Sequence, residues 1–256
     1  MYISPDGFPH LPLRTHAPRM ALTTAEIADF ILAGVIRLAA LMPALTLHEF
    51  AHAWSADLAG DPTPRMRGRL TLNPIAHLDP LGTLAILLLP IGWAKPVPIN
   101  PMNFRNGPRD AIITSAMGPI SNILQGTFWC LVFRLVRSWA PGVVGSPIDP
   151  TIVGGFLGFM ALLNFILAFF NLIPIGVLDG HHIMENALPY PASEDYRQFN
   201  HNYGMAILLG LIGVQFFLGI PVLSVVIFGP ARFLSTLAAG VDPAYYIAGS
   251  GLLIGR

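Results

Sequence analysis

The chain has 256 residues, of which 54% are hydrophobic and only 11% charged, and its formal net charge is zero. An average soluble domain is roughly 25% charged, so this composition describes an integral membrane protein and excludes a basic surface for nucleic acid. The single cysteine, Cys130, excludes an intrachain disulfide, and no polar stretch is long enough for an appended nucleotide-binding or PDZ-like module, since compact domains usually need about 50 residues or more.

Residues 1–24 carry Pro5, Pro9, Pro12 and Pro18 with Arg14 and Arg19, and read as an irregular arm without a cleavable leader. Residues 25–256 are expected to form one membrane domain. A membrane helix needs about 20 mostly apolar residues; Ala25 to Ala59 exceeds this, which requires Arg37 to face protein, water or the interface. Gly60, Asp61 and Pro62 stop that helix. The loop from Pro64 to Pro80 holds Arg65, Arg67 and Arg69 and is placed at an interface, on the cytoplasmic side by the positive-inside rule, although Arg14 and Arg19 leave the orientation open. Leu81 to Trp93 is short enough to be re-entrant. From Lys95 to Pro101 prolines recur too often for a helix or a central strand, and two readings stand: a rigid connector, or an extended edge that accepts a substrate peptide. Further spans are expected over Ala111–Leu135 and Val153–Ile173, with shorter apolar segments at Gly204–Phe217 and Ile220–Phe228, and a last piece, Tyr245–Ile254, too short to span. The expected fold is an all-α polytopic membrane protein with four to six transmembrane or re-entrant helices and a short Pro-rich extended segment.

His48, Glu49 and His52 spell H-E-x-x-H inside the first apolar stretch. On a helix the two histidines lie on one face, their Cβ atoms about 5–6 Å apart, which suits one zinc ion, and Glu49 is placed as general base on a water. The structural alternative leaves two imidazoles and a carboxylate in hydrocarbon at a cost of several kcal/mol unless they find partners. A hydrolytic zinc site needs a third protein ligand. Asp179, in the run from Asn171 through Pro174 to Gly180, is the candidate: the proline breaks a helix where the chain must line a cavity or be buried. The competing reading has Asp179 capping the turn at Gly180.

H-E-F-A-H joined to N-x-x-P-x-x-x-L-D-G at Asn171–Gly180 resembles the site-2 protease family of intramembrane zinc metalloproteases, peptidase family M50. Gly118-Pro119 with Asn122, the run from Leu72 through His77 to Thr83, and Gly92 to Pro98 extend the likeness, which covers roughly Ala25 to Gly180. The resemblance implies one zinc per chain on His48, His52 and Asp179, with Glu49 as base. It implies that Asn122 donates to the scissile peptide or its oxyanion, against the alternative of an interhelical hydrogen bond. His77, Asn171, Pro96 and Pro98 become substrate-binding or supporting residues, and His181 and His182 receive no role. The implied partners are a transmembrane protein substrate and the lipid bilayer, with no nucleic acid or nucleotide, in a multi-pass protein of a prokaryotic inner membrane. One departure is that the arm before the motif is too short and too rich in proline to supply the extra span that some members carry. Two other readings are an inactive relative that binds transmembrane partners and a metal-handling protein; a transporter should show internal repeats or polar residues along several helices, and neither is present.

Overall fold

In a computed structural model that describes residues 23–88 and 92–250, the first apolar stretch forms one helix, α1 (Thr24–Ala59). Its 36 residues make it about 54 Å long, against a hydrocarbon core of about 30 Å. The arm at residues 1–22 and the end of the expected last apolar piece lie outside the described residues. Gly60, with φ 109°, turns the chain sharply after α1. There follow α2 (Thr63–Met66), a 3₁₀ turn at Pro74–Ala76 and α3 (Pro80–Leu88). The Pro-rich segment leads through a second 3₁₀ turn, Pro101–Asn103, to α4 (Pro108–Trp139). Then come α5 (Pro141–Val144), α6 (Ile152–Asn171), α7 (Asp179–Ala187) and α8 (Ala192–Phe199). A π-helical turn, Asn200–Gly204, continues into α9 (Met205–Leu218), and a second, Ser224–Phe228, runs into α10 (Gly229–Ala239), with α11 (Pro243–Ser250) last.

Helix α4 is the hub, packing against α1, α6 and α7. Its buried side carries Gly118, Asn122 and Gly126, small or polar residues that let helices approach closely in lipid. Beyond the site, Cys130 and Phe133 of α4 meet Leu157 and Phe165 of α6 and Tyr246 of α11 in the main apolar cluster. Phe133 and Tyr246 meet edge to face, centroids 4.9 Å apart. Arg37 is turned inward, and its Nη2 donates to the Leu87 carbonyl of α3 at 3.3 Å, which meets the requirement that it face protein.

The described residues contain no β-strand. The Pro-rich segment is joined to its neighbour by a single antiparallel bridge, Leu78 with Ala94. The segment itself forms no helix and no strand, as Pro96, Pro98 and Pro101 remove N–H donors that either would need. Among the described residues, α6 and the Phe30–Ala59 part of α1 are the helices long and apolar enough to cross a membrane. Ala111–Leu135 falls within the long helix α4, whose site-facing half is interrupted by Thr114, Ser115, Ser121 and Asn122. Ile220–Phe228 is not a separate segment: the chain passes Gly229 and Pro230 as helix, and the π-helical turn Ser224–Phe228 directly before them changes the hydrogen-bond pattern where the proline has no N–H to give.

Candidate metal centre

The four-residue spacing on α1 puts His48 and His52 side by side, and the N-terminus of α7 brings Asp179 to them. The two Nε2 atoms are 3.1 Å apart. Asp179 places Oδ2 3.2 Å from His48 Nε2 and Oδ1 3.2 Å from His52 Nε2. Tetrahedral bonds of 2.0–2.1 Å to zinc separate ligand atoms by about 3.3 Å, so the two imidazole nitrogens, each facing its own Asp179 oxygen, stand at the separation expected of ligands around one zinc.

Proton placement points the same way. His52 Nδ1 lies 2.8 Å from the Thr114 carbonyl, which can only accept, so Nδ1 carries the hydrogen and Nε2 presents a lone pair. His48 Nδ1 lies 2.6 Å from Asn122 Oδ1. The amide orientation of Asn122 follows from its Nδ2, which donates to the Ala44 carbonyl at 3.2 Å and to Asn164 Oδ1 at 3.1 Å. His48 Nε2 is therefore also a lone pair. Asp179 Oδ2, buried, has no hydrogen-bond donor. In those tautomers both Nε2 lone pairs face the Asp179 carboxylate, and two imidazoles with a carboxylate are a fitting donor set for zinc.

Helix α4 forms the floor of this site. A Cβ at Gly118 would lie 2.3 Å from His52 Nε2 and 2.6 Å from His48 Cε1, so only glycine leaves room for the imidazoles. Pro119 removes one helical N–H in the same turn, next to the Thr114 carbonyl that holds His52. Asn122, fully buried, spends both amide hydrogens and its oxygen on Ala44, Asn164 and His48. With both amide hydrogens engaged inside the protein, Asn122 orients His48, the arrangement usual around a metal-bound histidine.

Asp179 is held by the broken backbone after α6. A Cβ on Gly180 would lie 2.3 Å from the Leu172 carbonyl oxygen and 2.6 Å from that of Ile173, so the glycine lets α7 start directly against the end of α6. Gly176, with φ 73°, has its N–H and C=O both bonded to the Asn200 side chain at 2.9 Å, and Tyr196 Oη donates to the Pro174 carbonyl at 2.5 Å. A carboxylate in the first turn of α7 also gains from the helix dipole. Asn171 donates back to Leu167 at 3.0 Å within α6 and so terminates that helix beside the break.

Glu49 is buried, and its Oε2 accepts the Val97 N–H at 3.1 Å. The extended segment thus crosses the carboxylate next to the metal ligands, with Pro96 and Pro98 exposed. Its far end is fixed by Asp61, wholly buried, which accepts from Asn100 N (2.7 Å), Asn103 Nδ2 (2.7 Å) and Thr63 Oγ1 (2.5 Å). Burial raises the carboxyl pKa of Asp61, but these hydrogen bonds outweigh it and hold the group below its ordinary value. His77 is also buried, its Nε2 donating to the Thr71 carbonyl at 2.8 Å. Its carbonyl accepts the Lys95 N–H, so it builds the loop that supports the segment.

Residues missed in the sequence are Gly118, Asp61 and Arg69. Arg69 belongs to the cluster expected at the interface, yet it is only 5% exposed and donates through Nη2 to the Lys95 carbonyl. His181, His182 and Glu185 form a second cluster on α7, with Glu185 Oε2 3.4 Å from His181 Nε2 and 3.9 Å from His182 Nδ1. Burial and the neighbouring His182 hold the His181 pKa down at about 4. The other oxygen of Glu185 lies 4.0 Å from Arg197, so these are ordinary i,i+3 and i,i+4 neighbours on a helix face.

The sequence profile of Peptidase family M50 matches residues 142–211, a stretch that contains Asp179. The chain is 37% identical over 171 residues to YwhC of Bacillus subtilis strain 168, named "Putative zinc metalloprotease", covering 67% of this chain and 77% of the relative. It is 30% identical over 179 residues to Rip2 of Mycolicibacterium smegmatis, of the same description, covering 65% of this chain and 62% of the relative. With Rip2 of Mycobacterium tuberculosis strain Erdman it shares 29% identity over 223 residues, which is 85% of this chain and 79% of the relative. No solved structure matches the chain.

Proposed function

This chain belongs to peptidase family M50 and is a zinc metalloprotease, and from that premise we propose that it cuts membrane-protein substrates within, or at the edge of, the bilayer. The observation that carries the proposal is the position of the metal group: His48 and His52 lie in the same helix as the apolar Phe30–Ala59 stretch, and Asp179 lies just beyond the apolar α6.

Two further features support a multi-pass arrangement of four to six spanning or re-entrant segments. Leu124, Phe128, Leu131 and Leu135 form an exposed stripe along α4 at helical spacing, a face that matches lipid better than water. Helix α9, apolar except for Gln215, offers Leu209, Phe217 and Leu218 outward in the same way.

His48, His52 and Asp179 would hold the zinc, which when bound would supply a Lewis acid for the peptide carbonyl and lower the pKa of a water toward neutral. Glu49 takes the proton from that water and returns it to the departing amine. Asn122 and the Thr114 carbonyl keep the two imidazoles in the tautomer that presents Nε2. The exposed Pro96–Asn100 segment, crossing Glu49, is the surface along which an unwound substrate lies. Unwinding is required because a helical carbonyl is already bonded to an amide four residues on.

The test offers one cleavable sequence in two forms, as a transmembrane segment co-reconstituted in liposomes and as a soluble peptide. Cleavage of the membrane-inserted form alone is expected. Equal turnover of the soluble peptide would contradict the intramembrane reading.

A further inference from the structure

Arg65 and Arg67 are exposed, and Arg65 pairs with Asp57. Arg69, two positions on, is buried, with a single side-chain hydrogen bond, to the Lys95 carbonyl, and a buried Nε that has no partner. Burial lowers its pKa and the charge of Glu49 opposes the fall, so the guanidinium lies within the field of the catalytic carboxylate. A buried cation with so few partners costs folding free energy, and an apolar residue of similar size is often neutral or better in such a place. Fold stability therefore does not account for it.

What Arg69 touches does. Lys95 is gripped on both sides: its N–H donates to the His77 carbonyl at 2.8 Å and its C=O accepts from Arg69. Two residues later the Val97 N–H rests on Glu49. Pro96 and Pro98 fix φ near −65° on either side of Val97, so a hold at Lys95 is transmitted stiffly to Val97. We propose that Arg69 is a positioning residue of the peptidase: by pinning the Lys95 carbonyl it keeps Pro96–Asn100 extended across Glu49, in register to receive the substrate. The proposal rests on the reading of that segment as the substrate-facing surface.

Arg69→Met and Arg69→Lys in the full chain test it, with Arg67→Met as control. Arg69→Met is expected to bind one zinc and to unfold at the wild-type temperature or above. Its Val97 amide, followed by hydrogen exchange of the peptide spanning 94–100, is expected to exchange about tenfold faster, while the Asn100 amide on Asp61 stays protected. Its kcat/KM should fall about 10–100-fold, mostly through KM. Arg69→Lys, which keeps one donor for the Lys95 carbonyl, should recover most of the exchange protection, and Arg67→Met should behave as wild type. Unchanged Val97 exchange in Arg69→Met, or a lower unfolding temperature with loss of the whole fold, would overturn the inference. A wild-type protein that cuts nothing would defeat the peptidase reading instead, and the exchange result would still judge the clamp.

Discussion

Gly118→Ala places one methyl group where the imidazoles stand. The new Cβ would lie 2.3 Å from His52 Nε2 and 2.6 Å from His48 Cε1, where ordinary contact begins at 3.4 Å. The shortfall is about 1 Å, several times the ±0.2 Å within which metal–ligand distances are held. Helix α4 cannot retreat easily, because Asn122, one turn on, is bonded to both α1 and α6. The histidines must therefore move, and zinc affinity is expected to fall at least 10–100-fold, or about 1.4–2.8 kcal/mol. Chelator competition on purified protein measures this directly, with Gly210→Ala as control, since a Cβ at Gly210 meets nothing within 4 Å. Zinc affinity within about threefold of wild type in Gly118→Ala would refute the argument that this glycine makes room for the ligands.

Asn122→Leu removes the acceptor for His48 Nδ1 and is expected to weaken zinc binding about 10–100-fold without abolishing the fold; a variant that keeps zinc affinity but loses cleavage would return Asn122 to the substrate. Gly180→Ala drives a methyl into backbone carbonyls that cannot yield, so it should cost about 1–3 kcal/mol in thermal unfolding and lower zinc content as Asp179 shifts. Asp61 carries the pH dependence: its folded-state pKa lies below its unfolded value, so its contribution is complete above about pH 4 and is lost as pH falls through the lower, folded value. Unfolding temperature followed downward from neutral pH should decline below that point in wild type and less in Asp61→Asn, which starts lower; parallel profiles would exclude Asp61 as the group responsible.

The grouping of His48, His52 and Asp179 is legible because its chemistry is local: four-residue spacing fixes the His48–His52 face, and a proline-broken run ending in Asp179-Gly180 marks an acid on irregular backbone. How they meet is not, because it depends on α4: Gly118-Pro119 with Asn122 is readable as a motif, but that Gly118 makes room for the imidazoles shows only once they are in place. Asn122 was recognised as a polar residue with a task, yet its direction could not be read, since an amide among apolar residues fits a peptide or a histidine equally well. Arg69 was counted with Arg65 and Arg67 as interfacial charge, for a loop's composition does not reveal that one arginine turns inward to a carbonyl 26 residues away. The segmentation after α8 is least legible, because Gly229-Pro230 carries the mark of a break while the chain runs through it as helix behind a π-helical turn that local sequence does not announce.

The most direct test compares wild type with Glu49→Gln, both reconstituted in liposomes with a transmembrane substrate, measuring zinc content and cleavage on the same preparations. The account predicts equal zinc in the two proteins, because Glu49 is not a ligand, and cleavage by wild type alone. Equal cleavage by Glu49→Gln would contradict it.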